Sequence, residues 1–142
     1  MRKRWPIQVL MVLLCMTMLC AVPAHAAQYR ASERINLASA TLSKKSNGDF
    51  SIYFSVRATH VMEKIGASSV EIQRNTSAGW VTEYTFTPSS STIQAESKTR
   101  HSATLTYSPL FTGKEYRAVV MIYVEDDTGS SSKQLTTESE VH

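Results

Sequence analysis

The histidines are the residues of this 142-residue chain that could do chemistry, and His60 stands three positions before Glu63. Such a spacing can bring an imidazole and a carboxylate to one metal ion, but a zinc site needs three or four ligands. Beyond residue 26 the other histidines are His101 and His142, and neither supplies a third ligand at a suitable spacing. We therefore predict no metal site and no cofactor.

A hydrolytic site is a second chemical reading, because His101 is followed directly by Ser102. Adjacent residues of a strand point to opposite faces, so this pair cannot act as base and nucleophile in an extended chain. We expect His101 to pack, or to form a hydrogen bond, where its strand begins. A small exported hydrolase that uses His60 or His101 stays open as the alternative function.

Three carboxylates in succession, Glu125, Asp126 and Asp127, could offer oxygen ligands to calcium. Calcium needs six or more oxygens. The residues that follow, Thr128 and Gly129, are typical of a hairpin turn. We predict a turn here and no cation site.

The first 26 residues have the layout of a secretory signal peptide. Arg2, Lys3 and Arg4 precede an apolar run from Ile7 to Val22, and Ala24-His25-Ala26 ends the segment with small residues before a cleavage point. The run is shorter than the ~20 apolar residues of a membrane-spanning helix. A lipid anchor on Cys20 is a further alternative, although Thr17 stands where such signals usually carry leucine. We predict cleavage after Ala26 and a secreted or envelope-associated protein.

Removal of this leader changes the composition. Three of the 15 basic residues lie in the leader, so 12 remain against 12 acidic residues, and a neutral domain does not attract nucleic acid or an anionic membrane over a distance. Both cysteines, Cys15 and Cys20, also lie in the leader. Residues 27–142 therefore form one cysteine-free domain that needs no disulfide and is long enough to bury a core.

Alternating side chains identify the strands. Phe50, Ile52, Phe54, Val56 and Ala58 share one parity, which indicates a strand with one buried face. The preceding run, 35–42, changes phase near Leu37, which predicts a bulge, and Asn47-Gly48 joins the two runs as a hairpin.

The rest of the chain repeats this pattern. Residues 67–74 and 80–86 predict a second hairpin, and 61–66 could form a helical turn or, as we favour, a plug with Met62 and Ile65 in the core. We predict a long polar loop from Pro88 to Arg100. Further strands are predicted at 103–107, at 116–124, which is apolar on both faces, and at the edge, 133–137. Seven short strands predict an all-β, antiparallel seven-stranded sandwich.

Two family resemblances accompany this prediction. The segment 105–120, with Leu110, Gly113 and Tyr116, resembles the region of fibronectin type III domains in which a tyrosine hydroxyl caps a corner. The whole exported part is similar to small exported proteins of Gram-positive, mainly clostridial, bacteria that form a domain of unknown function. The segments that carry this likeness are Met62-Glu63-Lys64-Ile65-Gly66-Ala67, His101-Ser102-Ala103-Thr104-Leu105-Thr106-Tyr107 and Tyr116-Arg117-Ala118-Val119-Val120. The resemblances imply a compartment and a fibronectin type III-like fold, with Tyr116 as a structural tyrosine corner, and no activity.

No set of acid, base and nucleophile appears in the sequence, so we predict a non-enzymatic interaction module that binds an extracellular or envelope protein or glycan. Trp80, Tyr84 and Phe86 share one parity and are expected in the core rather than in an exposed sugar-binding platform. Tyr53, Met121 and Tyr123 point outward by parity and form the candidate partner surface. Self-association through the open final strand is a further alternative.

Overall fold

The computed structural model describes residues 34–142, which form an all-β antiparallel sheet of seven strands. The predicted leader and its cleavage point after Ala26 lie outside these residues. The strands are β1 (Ile35–Lys44), β2 (Phe50–Thr76), β3 (Gly79–Phe86), β4 (Gln94–Tyr107), β5 (Glu115–Asp126), β6 (Gly129–Thr136) and β7 (Glu140–Val141).

Strand β2 is 27 residues long and belongs to two parts of the sheet. Its first part, 50–57, lies between β1 and β4. Its second part, 64–76, pairs with β5 on one side and with β3 and the start of β4 on the other. Strand β5 continues the sheet to β6 and β7.

The core lies between the inner faces of these two parts. The rings of Phe50 and Tyr116, which come from different parts, have centroids 5.3 Å apart. The alternation predicted from Phe50 to Ala58 is confirmed, since all five side chains are buried, and Val70 and Ile72 are buried as predicted. One apolar face per strand, closed against the other part of the sheet, is what the hydrophobic effect stabilises.

Gly66 allows β2 to pass close to the start of β4. Its φ of +148° is rare for residues with a side chain, and an added Cβ would lie 2.1 Å from the carbonyl oxygen of Ile93. The next residue, Ala67, donates its amide to that same carbonyl at 2.8 Å. The sequence places glycine here because no side chain fits between the two backbones.

Three local predictions are confirmed. The register between β1 and β2 shifts between Ile35 and Leu37, as the phase change indicated. The hairpin turn at Asn47-Gly48 is present, with Gly48 at a φ of +89°. Met62 and Ile65 are fully buried, as the plug predicted, although their segment is strand and not a helical turn.

Three others are corrected. The loop predicted from Pro88 to Arg100 ends at Ile93, which is buried, because the polar residues from Gln94 onward pair with 62–66. The strand predicted at 67–74 is the continuation of β2, and the edge strand predicted at 133–137 begins at Gly129 and forms β6.

The aromatic residues of β3 do not all lie in the core. Tyr84 is 45% exposed, while Trp80 and Phe86 are half-buried. The register shifts between Ile72 and Gln73, where Glu83 is an extra residue on β3. This bulge separates Trp80 from the parity of Tyr84 and Phe86, so the predicted common face does not exist.

Candidate binding surface

The outer face of β1, β2 and β4 is a regular array of small hydroxyl side chains, which we call the hydroxyl face. Strand pairing places its twelve side chains in four rows of three. The rows are Leu37–Arg57–Arg100, Ser39–Ser55–Ser102, Thr41–Tyr53–Thr104 and Ser43–Ser51–Thr106. Alternate residues on the same strands, such as Ile52 and Phe54, are buried, so these rows face solvent.

Two arginines stand side by side at one end of the hydroxyl face. Arg57 pairs directly with Arg100 across the strands, and both are exposed. Within residues 34–142 neither arginine side chain has a hydrogen bond, ion pair or ring contact. Like charges directly opposite each other in a sheet are destabilising, so the free protein retains an unfavourable contact here.

A shallow depression of about 320 Å³ lies beside this pair. Leu37, Tyr53, Arg57 and Arg100 contribute to its lining. Leu37 is 64% exposed and Tyr53 is 43% exposed, so apolar and aromatic surface meets the two positive charges. This combination offers both contact area and a charged anchor to a ligand.

The outer surface of β5 and its neighbours, which we call the β5 face, has partners for its charged groups. Arg117 donates to Gln73 at 2.9 Å, and its guanidinium carbon lies 4.3 Å from the centre of the Trp80 ring. Gln73 and Thr82 both donate to Glu71 at 3.1 Å. The side chains of Arg117, Gln73 and Glu71 therefore have their polar partners within the chain.

The predicted partner surface is divided between these two faces. Tyr53 lies at the centre of the hydroxyl face, whereas Met121 and Tyr123 lie half-buried on the β5 face. The Tyr123 hydroxyl donates to Glu125, and this hydrogen bond raises the pKa of Tyr123. Glu125 also forms an ion pair with Lys64 at 3.2 Å. The structure thus does not bring Tyr53 together with Met121 and Tyr123.

His60 belongs to a cluster around the buried carboxylate of Asp126. The Nε2 atom of His60 is 3.0 Å from Asp126 Oδ2, and the Nε atom of Arg34 is 2.8 Å from the same oxygen. Thr128 donates its amide and hydroxyl to Oδ1. Arg34, followed by Thr128, holds the pKa of Asp126 well below its ordinary value, and His60 adds to this effect. Asp126 therefore ties the start of β1 to the turn after β5.

His60 has a second hydrogen-bond partner in this cluster. The other ring nitrogen of His60, Nδ1, lies 3.1 Å from the hydroxyl of Thr59, so His60 stands between a hydroxyl and a carboxylate. The turn predicted at Asp126-Asp127-Thr128-Gly129 is present, since β5 ends at Asp126 and β6 begins at Gly129. No group of three or more metal-ligating side chains occurs in the region the structure describes.

His101 and Ser102 lie on opposite faces of β4. His101 pairs with Val56 on the inner side, packs on Phe54 with ring centroids 6.1 Å apart, and lies 3.2 Å from the Thr92 carbonyl oxygen. Ser102 belongs to the hydroxyl face. His101 thus packs as expected, but it lies within β4 rather than at the start of its strand, because β4 begins at Gln94.

Tyr116 follows the turn at 108–114 and is completely buried. Its hydroxyl forms no hydrogen bond with the described residues, and burial raises its pKa. The neighbouring Tyr107 donates to Glu83 at 3.1 Å, and Arg74 forms an ion pair with Glu83. Burial, together with this bond to the Glu83 carboxylate, raises the pKa of Tyr107 to about 12. The role of Tyr116 as a corner cap stays a prediction.

Comparison with known proteins adds little to this description. The sequence matches no protein-family model and no curated protein. Among solved structures, the chain is similar to the solution structure of a protein described as late embryogenesis abundant (LEA). The identity is 10%, the TM-score is 0.48, and the alignment covers 92% of this chain and 84% of that one. Among residues 34–142 there is no helix long and apolar enough to span a membrane.

Arg57 and Arg100 are the surface residues that the sequence reasoning missed. Parity alone places Arg57 outward, on the same face as Tyr53. Its pairing with Arg100 depends on the register of two segments that are far apart in the chain, and Arg100 is the last residue of the predicted loop. No local pattern specifies that register.

Proposed function

We propose that this chain is a non-enzymatic interaction module, secreted or held at the cell envelope, that binds its partner through the hydroxyl face. The observation that carries the proposal is the exposed pair of Arg57 and Arg100 beside Tyr53 and Leu37, without partners within the described residues. An unfavourable charge contact on an otherwise regular sheet is more readily explained by ligand binding than by stability.

The leader supports the location. A basic start, a short apolar run and Ala24-His25-Ala26 are typical of secretory signals. A fibronectin type III-like sandwich remains our proposal for the fold family. Sheet faces and loops of such architectures commonly serve as binding surfaces, although fold alone does not decide function.

Cell fractionation tests the proposal. The full-length chain is expressed in the producing cells, and its distribution between envelopes and supernatant is measured at low salt and after a high-salt wash. We expect wild-type protein to sediment with the envelopes at low salt and Leu37→Ser to move to the supernatant. Leu110→Ser is the matched control, because Leu110 is 83% exposed but lies outside the hydroxyl face.

Two results would contradict the proposal. One is wild-type protein that remains entirely in the supernatant. The other is equal retention of Leu37→Ser and Leu110→Ser, because the surface that binds the envelope would then lie elsewhere.

The second candidate function is a small exported hydrolase that uses His60. It is favoured by the position of His60 between the Thr59 hydroxyl and the Asp126 carboxylate. Against it, Arg34 and Thr128 already occupy Asp126. A panel of chromogenic esters tests this candidate: hydrolysis that is lost in both Thr59→Ala and His60→Ala, but kept in His101→Ala, would replace the module with an enzyme.

A further inference from the structure

We infer that the hydroxyl face binds an acidic polysaccharide and that Arg57 and Arg100 together hold its carboxylate groups. This inference rests on the proposed function and specifies its ligand class. It follows from the charge of the three strand segments, from the pairing of the arginines and from the chemistry of the remaining rows.

The strand segments that build the hydroxyl face contain no acidic residue. The twelve side chains of the face include two cations, Arg57 and Arg100, and neither aspartate nor glutamate. Lys44, at the end of β1, has the opposite parity and donates to the Val141 carbonyl oxygen at 3.3 Å. The acidic residues of the exported part lie elsewhere, several of them on β5 and the second part of β2. Residues 27–142, in which 12 basic residues balance 12 acidic ones, therefore carry a locally cationic surface on this face, and this surface is complementary to an anion.

The two arginines are placed for a shared anion. Directly opposite residues of antiparallel strands have Cα atoms about 4.5–5.5 Å apart, so the guanidinium groups can converge on one ligand group. A guanidinium matches the two oxygens of a carboxylate through parallel N–H donors. A bound carboxylate would also remove the repulsion between Arg57 and Arg100.

The other rows fit a hydroxyl-rich chain. Eight of the twelve side chains are serine or threonine, each of which can donate and accept hydrogen bonds. Tyr53 lies four residues from Arg57 on the same strand, which corresponds to about 13 Å in an extended chain. A ligand that follows the strand from the arginines past Tyr53 to the hydroxyl rows beyond it is therefore extended, as several linked sugar units are.

An acidic peptide fits this surface less well. Peptides that bind to sheets commonly add a strand at an edge through main-chain hydrogen bonds. The hydroxyl face is instead the outer surface of three paired strands, and its large apolar side chains are limited to Leu37 and Tyr53. Protein interfaces usually have a more apolar and aromatic core than this.

Calorimetric titration of the purified full-length chain with polygalacturonate oligomers tests the inference. We expect binding at low salt that weakens as salt rises, because the contact is charge-assisted. The double variant Arg57→Gln/Arg100→Gln should bind at least tenfold more weakly. The control Lys114→Gln/Lys133→Gln removes the same charge from other exposed positions and should bind within twofold of wild type.

Ligand controls separate the alternatives. Methyl-esterified polygalacturonate keeps the sugar chain without the charge and should not bind, and poly-L-glutamate keeps the charge without the sugar and should bind at least tenfold more weakly. Equal binding of either control, equal loss in both double variants, or no binding of polygalacturonate would overturn the inference. If polygalacturonate fails while Leu37→Ser still releases the protein from envelopes, the ligand class is wrong and the proposed function stands.

Discussion

The hydroxyl face and the β5 face are outer surfaces of one sheet, but their arginines have different surroundings. Arg117 on the β5 face stacks on Trp80 and donates to Gln73. On the hydroxyl face Arg57 faces another arginine and has no partner within the described residues. The comparison teaches that two arginines on one sheet can differ in their surroundings, since one is held by contacts within the chain while the other stands opposite a like charge. The proposed function interprets this difference as the mark of a binding surface.

The largest expected effect on stability is at Gly66, where β2 passes close to the start of β4. In Gly66→Ala the added Cβ would lie 2.1 Å from the Ile93 carbonyl oxygen and 2.8 Å from the Gln94 Cα atom, so the backbones must move apart. We expect the free energy of unfolding to fall by about 3 kcal/mol or more. Chemical denaturation measures it.

Gly113→Ala is the control for Gly66→Ala. Gly113 has a φ of +68°, but an added Cβ would meet nothing within 4 Å. It should cost only about 1 kcal/mol of backbone strain. Equal losses in the two variants would show that the close approach at Gly66 is not what positions the faces.

Asp126→Asn should have the next largest effect on stability, because it weakens the contacts of Asp126 with Arg34 and Thr128, which join the start of β1 to the turn after β5. The pKa of Asp126 is lowered in the folded protein, mainly by Arg34. The resulting stability is present above the unfolded pKa, whose ordinary value is 3.8, and is lost as the pH falls. Thermal denaturation from pH 7 to pH 3 should show a lower midpoint and a flatter acid dependence in the variant.

The neighbour variant Asp127→Asn is the control and should behave like wild type. If it lowers the midpoint as much as Asp126→Asn does, the loss of stability does not come from the contacts of Asp126.

Matched arginine substitutions sharpen the comparison directly. Arg117→Gln removes the stacking and a hydrogen bond, so it should lower the free energy of unfolding by about 1 kcal/mol. Arg100→Gln removes a repulsion, so it should raise that free energy by about 0.2–1 kcal/mol. Urea titration of both variants measures the difference in sign. Loss of stability in Arg100→Gln would mean that the hydroxyl face is stabilised by its arginines after all.

The smallest effect is expected in the interior beneath both faces. Tyr116→Phe removes a buried hydroxyl that has no hydrogen bond within the described residues, so stability should stay constant or rise by up to about 1 kcal/mol. Tyr107→Phe removes a bond to the Glu83 carboxylate and should lower stability by about 1 kcal/mol. A clear loss in Tyr116→Phe, measured by urea denaturation, would support a corner hydrogen bond of the kind that the fibronectin type III resemblance implies.

Sequence patterns predicted the parts of the fold that depend on neighbouring residues. The period-two burial from Phe50 to Ala58, the bulge near Leu37 and the turn at Gly48 all follow from local sterics and hydrophobic burial. The polar residues from Gln94 onward were mistaken for a loop because a polar segment acquires strand structure only from its pairing with 62–66. That contact is distant in sequence.

The candidate surface was predictable only in part for the same reason. Tyr53 was selected by parity, and it lies at the centre of the hydroxyl face. Met121 and Tyr123 share its outward parity but belong to another part of the sheet, since parity says which side of a strand a residue occupies and nothing about which strands are neighbours. The pairing of Arg57 with Arg100 required the structure.

Protection of single cysteines tests most directly whether the hydroxyl face is the binding surface. Residues 27–142 contain no cysteine, so Ser55→Cys on the hydroxyl face and Ser132→Cys beside Tyr123 each introduce one thiol in the described region. The rate of maleimide labelling at each site is measured by peptide mass spectrometry, with and without envelopes of the producing cells. We predict that envelopes slow the labelling of Ser55→Cys and leave Ser132→Cys unchanged. Unchanged labelling of Ser55→Cys, or protection of Ser132→Cys alone, would contradict the account.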